Sequence, residues 1–358
     1  MHLTPLVFVS LFPAAFASQR YSTWMRNSII SKGQGVVNSG AVTGQIEHGV
    51  FQSALSQAIT TSRNLTWESY LEQSLTTSVP TLLNATVDAS TALDRFSIGS
   101  ALLWQRGNIS RGEDALEALR QSLILQNRTD QGGLWYYVYP NWSYLDGMFS
   151  MALFYTHYYT SNTNLAEAAT TAFDDVFLQL DRLWQHCHSN ASGLHHGYDA
   201  TKTAVWANPV TGSSPIVWGR SLGWYLTGLV ETLDILPQVY PGWSVLRARF
   251  NELAIDVAKA ADTSTGLWWQ VVTEPNAAGN FLESSSSALF IYSILKGLRL
   301  RLLDDTALKG VAEKAYRSIL DHFIVKNSNG TLSYNGTVTV CSLNSTADYA
   351  VTSINWST

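Results

Sequence analysis

Residues 144–155, Tyr144-Leu145-Asp146-Gly147-Met148-Phe149-Ser150-Met151-Ala152-Leu153-Phe154-Tyr155, carry one charge at the third position and none after it. A helix from Gly147 to Tyr155 that is apolar or small on every side has no face for water and belongs in an interior. Three more segments share that character: Ile98 to Leu103, Ser221 to Val230 and Ser284 to Leu295. Helices of a second kind, such as Glu113 to Arg120 and Val245 to Ala254, place apolar residues at spacings of three and four with charges between them. The two kinds alternate, separated by Gly, Asn and Pro clusters, and strand-like alternation is scarce. Inner and outer helices in turn describe an all-α toroid of αα-hairpins. No Pro/Ser-rich linker divides the chain, so one domain is expected over residues 18–358.

Each inner helix opens on an ionisable residue: Asp94, Asp146, Arg220 and Glu283. Parallel inner helices would bring these four to one mouth, near Trp135, Trp142, Trp218, Trp224, Trp268 and Trp269. The ordinary explanation for an acid at a helix start is an N-cap or a partner for the helix dipole, and it suits Asp94 and Glu283 taken singly. Asp146 fits it less well, because Tyr144, Leu145, Met148 and Phe149 would desolvate it. Burial and a neighbouring carboxylate would raise its pKa while the helix terminus lowers it. Arg220 opposes the dipole outright, so an anion should compensate it, either a protein carboxylate or that of a substrate.

The His-rich stretch Gln185 to Asp199 lacks the repeated spacing of a metal site, and His196 or Asp199 lining the cleft is the better reading. No Gly-x-Ser-x-Gly elbow is present; Ser284 to Ser287 read as small residues easing helix contact. Net charge is −5 with 14% charged residues, so nothing suggests nucleic acid or an anionic membrane as partner. The abundant component is aromatic, 13 Trp and 16 Tyr, which suits sugar rings.

Leu6 to Phe12 followed by Ala15-Phe16-Ala17 reads as a signal peptide of residues 1–17. Ten Asn-x-Ser/Thr acceptors from Asn64 to Asn355 agree with a secreted, extracellular glycoprotein, although Asn141 lies too near the odd acid to be expected to carry a glycan. Whether Cys187 and Cys341 pair stays open at this level.

Four segments, LDRFSIGSALLW (93–104), YLDGMFSMALFY (144–155), GLHHGYDATKTAVWANPVTGSSPIVWGRSLGWYLTGLVETLDILP (193–237) and GLWWQVVTEPNAAGNFLESSSSALFIYSILKG (266–297), together resemble the unsaturated rhamnogalacturonyl hydrolases of glycoside hydrolase family 105. These are related to the unsaturated glucuronyl hydrolases of family 88. The resemblance implies an (α/α)6 barrel and no cofactor or metal. It implies release of the Δ4,5-unsaturated uronic acid that a lyase leaves at the nonreducing end of pectin fragments. An enzyme acid protonates C4, water adds at C5, and the hemiketal collapses.

By the same resemblance Asp146 is the catalytic acid/base and Asp94 the second aspartate. It makes Arg220, Trp224 and His196 substrate-pocket residues, with Arg220 on polar groups and Trp224 stacking on the ring, and Trp218 and Trp142, from their place near the same mouth, are expected to bind substrate as well. The unsaturated oligosaccharide is the expected partner, and the protein is expected to be a monomer. Ser221 and Leu222 stand where many relatives have Gly-Asn, which is expected to alter the pocket wall. Relatives continue past the segment matching Val340 to Leu343, which leaves the completeness of the last hairpin open. The competing readings are an inverting hydrolase of saturated glycans, with Asp94 and Asp146 about 6.5–9.5 Å apart, and an inactive sugar-binding homologue.

Overall fold

The structure, a computed structural model, describes residues 14–37, 44–189, 193–341 and 343. Most of the expected signal segment lies outside these residues, and position 17, the expected cleavage point, falls within the first helix, α1 (Ala14–Ser31). The chain then runs through α2 (Gly44–Ser62), α3 (Leu65–Ser78), the single turn α4 (Ala85–Asp88), α5 (Phe96–Trp104), α6 (Gly112–Leu125), α7 (Gly147–Thr160) and α8 (Ala166–Cys187). It ends with α9 (Gly219–Ile235), α10 (Trp243–Lys259), α11 (Ser284–Arg299) and α12 (Ala307–His322).

The alternation read from the sequence is the architecture. Helices α2, α5, α7, α9 and α11 each touch the next and form the inner ring, while α3, α6, α8, α10 and α12 back them. The fold is an all-α toroid of the (α/α)6 kind, with five hairpins and α1 among the described residues. Phe96 to Leu103 of α5 are all buried, as are Gly147 to Tyr159 of α7. Outer helices bury one stripe only, as in Leu246, Phe250, Leu253, Ala254 and Val257 of α10. Inner helices approach closely: a Cβ on Gly228 of α9 would sit 2.9 Å from the Met148 backbone of α7.

Helix α2 is an inner helix that sequence reasoning did not single out. It buries His48 and Gln52, and the Gln52 amide donates to Ser74 Oγ and Ser78 Oγ of α3 at 2.8 and 3.0 Å. Polar positions that find partners on a neighbouring helix leave no apolar signature.

Short strands dress the mouth: β1 (Trp142–Tyr144), β2 (His188–Ser189), β3 (Gly193–Leu194), β4 (Gly197–Asp199), β5 (Ile324–Lys326) and β6 (Leu332–Tyr334). They pair antiparallel as β1 with β4, β2 with β3 and β5 with β6. The loop returning from α10 turns on Gly266, whose φ of +78° favours a residue without Cβ, closed by Gly266 N–H to the Asp262 carbonyl at 2.7 Å. Helix α1 is bound to the other end of the chain. Leu332 N–H donates to Ser28 Oγ at 2.8 Å, and Trp24 Nε1 donates to the Gly330 carbonyl at 2.7 Å. Cys187 and Cys341 are both buried, and Gln270 Nε2 approaches Cys341 Sγ at 3.5 Å.

Candidate active site

One backbone device recurs at the mouth. The residue next to each helix-opening charge donates its N–H to a carbonyl on the loop that returns from an outer helix. The pairs are Leu93 to Tyr136 at 3.0 Å, Leu145 to His196 at 3.0 Å, Gly219 to Gln270 at 2.8 Å and Ser284 to Gly336 at 3.0 Å. These bonds set the four inner-helix starts at one level and lay the return loops across them.

Two of those loops carry the side chains that meet the aspartates. Tyr136 Oη donates to Asp94 Oδ2 at 3.1 Å. His196 Nε2 lies 3.0 Å from Asp146 Oδ2, yet that buried oxygen accepts no hydrogen bond. The two groups stand at ion-pair distance. Pairing of Tyr144 with Gly197 across β1 and β4 brings His196 there.

Asp146 occupies the position before α7 with φ −55° and ψ −39° and makes no capping bond. Capping requires an extended backbone at that residue, so its carboxylate is withheld from the helix end. Asp94, 9% exposed in the turn before α5, behaves differently. Burial first, then the charge of Asp146, pushes its carboxyl up to about 7, against the Tyr136 hydrogen bond, Arg95 and Arg220. Burial and both aspartates keep the Tyr136 phenol protonated. The site therefore sets a carboxyl that keeps its proton toward neutral pH beside the side chain of a second aspartate, the arrangement that suits general acid–base chemistry.

Arg95, next to Asp94 in sequence, turns away from the cleft. Fully buried, it donates to Ser122 Oγ at 3.1 Å and to Gln126 Oε1 at 2.8 Å, and Gln126 Nε2 donates to the Trp135 carbonyl at 3.0 Å. This chain braces the loop bearing Tyr136.

Arg220 sits over the Trp218 ring, 4.7 Å from its centroid, and its two terminal nitrogens donate to the Val338 and Thr339 carbonyls. The compensation for its place at a helix N-terminus is thus two backbone carbonyls and the field of Asp94. Among the described residues no carboxylate pairs with it. Glu283 anchors the same strap: it accepts from Ser286 N–H at 2.7 Å as the N-cap of α11 and from Val338 N–H at 3.1 Å. Fully buried, Glu283 is a structural cap and not a cleft residue, which corrects the expectation that all four charges converge.

Other expected residues sort similarly. Trp218, buried, has its ring 4.8 Å from His196. Trp142, half-buried on β1, meets Trp206 edge-on at 5.1 Å. Trp224 stacks on Phe149 at 5.2 Å, one turn along α7 from Asp146. Trp268 is buried and donates to the Val257 carbonyl at 2.7 Å, so it belongs to the core. Asp199 is likewise structural, fully buried and bonded to the N–H groups of Thr201, Thr203 and Ala204 at 2.8 Å. Ser221 and Leu222 are buried within the helix packing. Tyr136, Tyr139 and Trp206 were missed; the aromatic crowding of residues 135–144 was the available signal.

A sequence profile described as Glycosyl Hydrolase Family 88 matches residues 25–356. The 24.9 kDa protein in the picA locus of Rhizobium radiobacter is 36% identical over 159 residues, 43% of this chain and 67% of that protein. A glycoside hydrolase from family 105 of C. acetobutylicum ATCC 824 superposes with a TM-score of 0.80 at 27% identity, covering 94% of each chain. The unsaturated glucuronyl hydrolase of Bacillus sp. GL1, described as responsible for the degradation of glycosaminoglycan, shares the fold with a TM-score of 0.64 at 12% identity, covering 88% of this chain and 87% of that one.

Proposed function

The chain belongs to Glycosyl Hydrolase Family 88, and on that ground we propose that it removes a Δ4,5-unsaturated uronic acid from the nonreducing end of lyase-generated pectin fragments of the rhamnogalacturonan type. The observation that carries the reading is the state of Asp146: Oδ2 buried, bonded to no donor, 3.0 Å from His196 and electrostatically coupled to Asp94. A carboxyl kept from capping its own helix is available to a substrate.

In the proposed reaction Asp146 delivers its proton to C4 of the enol ether, and positive charge develops at C5, shared with the ring oxygen. The Asp146 carboxylate then takes a proton from the water that adds at C5. The hemiketal opens, the C–O bond to the next sugar breaks, and that sugar leaves with its hydroxyl. Asp94 supplies the neighbouring charge that Asp146 must work against, and its own proton, held up to about pH 7, limits that charge. Arg220 and Trp218 flank the uronate, and Trp224 lies deeper along α7 and α9.

The test is incubation with a rhamnogalacturonan-lyase digest while following the ultraviolet absorbance of the conjugated uronate. Absorbance falls with the native chain, and Asp146→Asn slows the fall by about 10²- to 10⁴-fold with circular dichroism retained. Cleavage of saturated oligosaccharides alone, with the absorbance untouched, would falsify the reading.

The proposed place of action is outside the cell, supported by the apolar N-terminal run and by the exposure of the acceptors Asn84, Asn108, Asn127 and Asn329. Expression in a secreting eukaryotic host should give a glycoprotein in the medium that loses mass on endoglycosidase treatment; retention in the cytosol without glycan would refute this.

A further inference from the structure

Helix α5 starts at the mouth and ends at Trp104, so the turn that follows it lies at the opposite end of the ring. A groove with a volume of about 540 Å³ opens there, between this turn, the last turns of α2 and the side of α3. Leu71 and Leu75 of α3, both buried, form its floor, while Leu65 stands 78% exposed on its rim beside Ile59 and Ile109. Polar groups interrupt the apolar wall. Glu68 and Glu72, four residues apart on α3, both line it, and so does Gln105, whose amide donates to Ser56 Oγ at 3.2 Å. Carboxylates at that helical spacing repel each other, and hydroxyl donors laid beside them relieve the repulsion.

Asn108 lines the same groove and opens the acceptor Asn108-Ile109-Ser110. Its turn is fixed, because Asn108 N–H donates to the Gln105 carbonyl at 3.0 Å and Gly112 N–H to the Ile109 carbonyl at 2.9 Å. The Asn108 side-chain nitrogen faces Gln105 Oε1 at 3.5 Å. A sugar attached to that nitrogen therefore starts at the groove wall and not out in solvent.

We infer that Asn108 carries an N-linked glycan whose first N-acetylglucosamine residues lie in this groove and cover it. The inference rests on the extracellular placement proposed above. The bond that forms joins Asn108 Nδ2 to C1 of the first sugar. The donor is a lipid diphosphate-linked oligosaccharide; its C1–O bond breaks, the diphosphate leaves with the bonding pair, and Nδ2 gives up one proton. The acetyl methyl and the apolar ring face rest on Leu65 and Ile109, and sugar hydroxyls donate to Glu68 and Glu72. The volume falls in the range, about 300–1,000 Å³, that small ligands fill.

The experiment produces the full chain in a secreting eukaryotic host and in a bacterial host that attaches no N-glycan. Mass mapping of the secreted chain should find Asn108 occupied. Ser110→Ala removes the acceptor and leaves Asn108 in place; it should lower the melting temperature of the secreted chain by about 2–4 °C and leave that of the bacterial chain unchanged. Leu65→Ser should shrink the difference that Ser110→Ala makes. An unmodified Asn108, equal melting temperatures for the secreted native and Ser110→Ala chains, or a difference that Leu65→Ser leaves intact overturns the inference. Glycan on Asn127 but not on Asn108 overturns it while the extracellular reading stands, and a chain kept in the cytosol without glycan overturns both.

Discussion

Tyr136 donates to the charged form of Asp94 and so works against the burial that protonates it. With its hydroxyl removed, the Asp94 carboxyl should rise further above about 7. The Asp94–Asp146 pair then holds its shared proton to higher pH, and Tyr136→Phe should move the alkaline limb of the kcat/KM profile, which reports that pair, upward by about one unit; an unmoved or lowered limb would show that this bond does not tune the pair. The same proton bears on stability. Because the folded value lies above the ordinary one, the native state keeps a proton that the unfolded chain gives up between about pH 4 and 7, and stability falls as pH rises across that window. Asp94 is followed at once by Arg95, whereas Asp146 stands out in the sequence because a lone charge precedes an uncharged run. Glu283 shows the same pattern and is a cap. The difference lies in the backbone: Glu283 is extended, at φ −106° and ψ 130°, whereas Asp146 is already helical. No residue pattern in the chain announces that choice.

At the scale of elements, the site depends on how near the inner helices stand. Asp146 precedes α7 and Arg220 lies in the first turn of α9, so the spacing of these two helices fixes the width of the cleft. Gly228 lets them meet, since an added Cβ would press on the Met148 backbone, which cannot rotate away as a side chain would. Gly228→Ala should cost about 1–3 kcal/mol in denaturant unfolding and reduce kcat/KM more than tightly packed substitutions in outer helices do; unchanged stability would mean that the ring yields without strain. Inner and outer helices were separable by sequence because burial on all sides and burial on one stripe leave different patterns, as α7 and α10 illustrate. Helix α2 escaped because its interior positions include Gln52, made tolerable only by two serines of α3. The return loops escaped too: Tyr136 and Trp206 look like any loop aromatics until the backbone bonds from Leu93 and Leu145 set the loops over the helix starts.

For the whole molecule, the decisive contact is the one between α1 and β6, which joins residues about three hundred positions apart. Ser28 Oγ is the acceptor for the buried Leu332 N–H, and Lys32 Nζ adds bonds to the Leu332 carbonyl at 3.3 Å and Ser333 Oγ at 3.0 Å. Ser28→Ala strands that N–H, at a cost of about 1–3 kcal/mol; the melting temperature should fall, and amide exchange should speed up at Leu332 and its neighbours before it does in α7. Exchange that accelerates evenly would argue against a distinct clasp. This join also orders events in time. Each hairpin forms from neighbours in sequence, whereas the clasp requires the chain to find its own far end, the kind of contact that slows folding. During synthesis the β6 strand emerges after the inner helices α2, α5, α7, α9 and α11, so a nascent chain can be largely helical while the contact to α1 is still open. The loops of the mouth are then laid down on a frame whose last stave arrives late, and catalytic competence becomes a property of the finished circuit rather than of any arc of it.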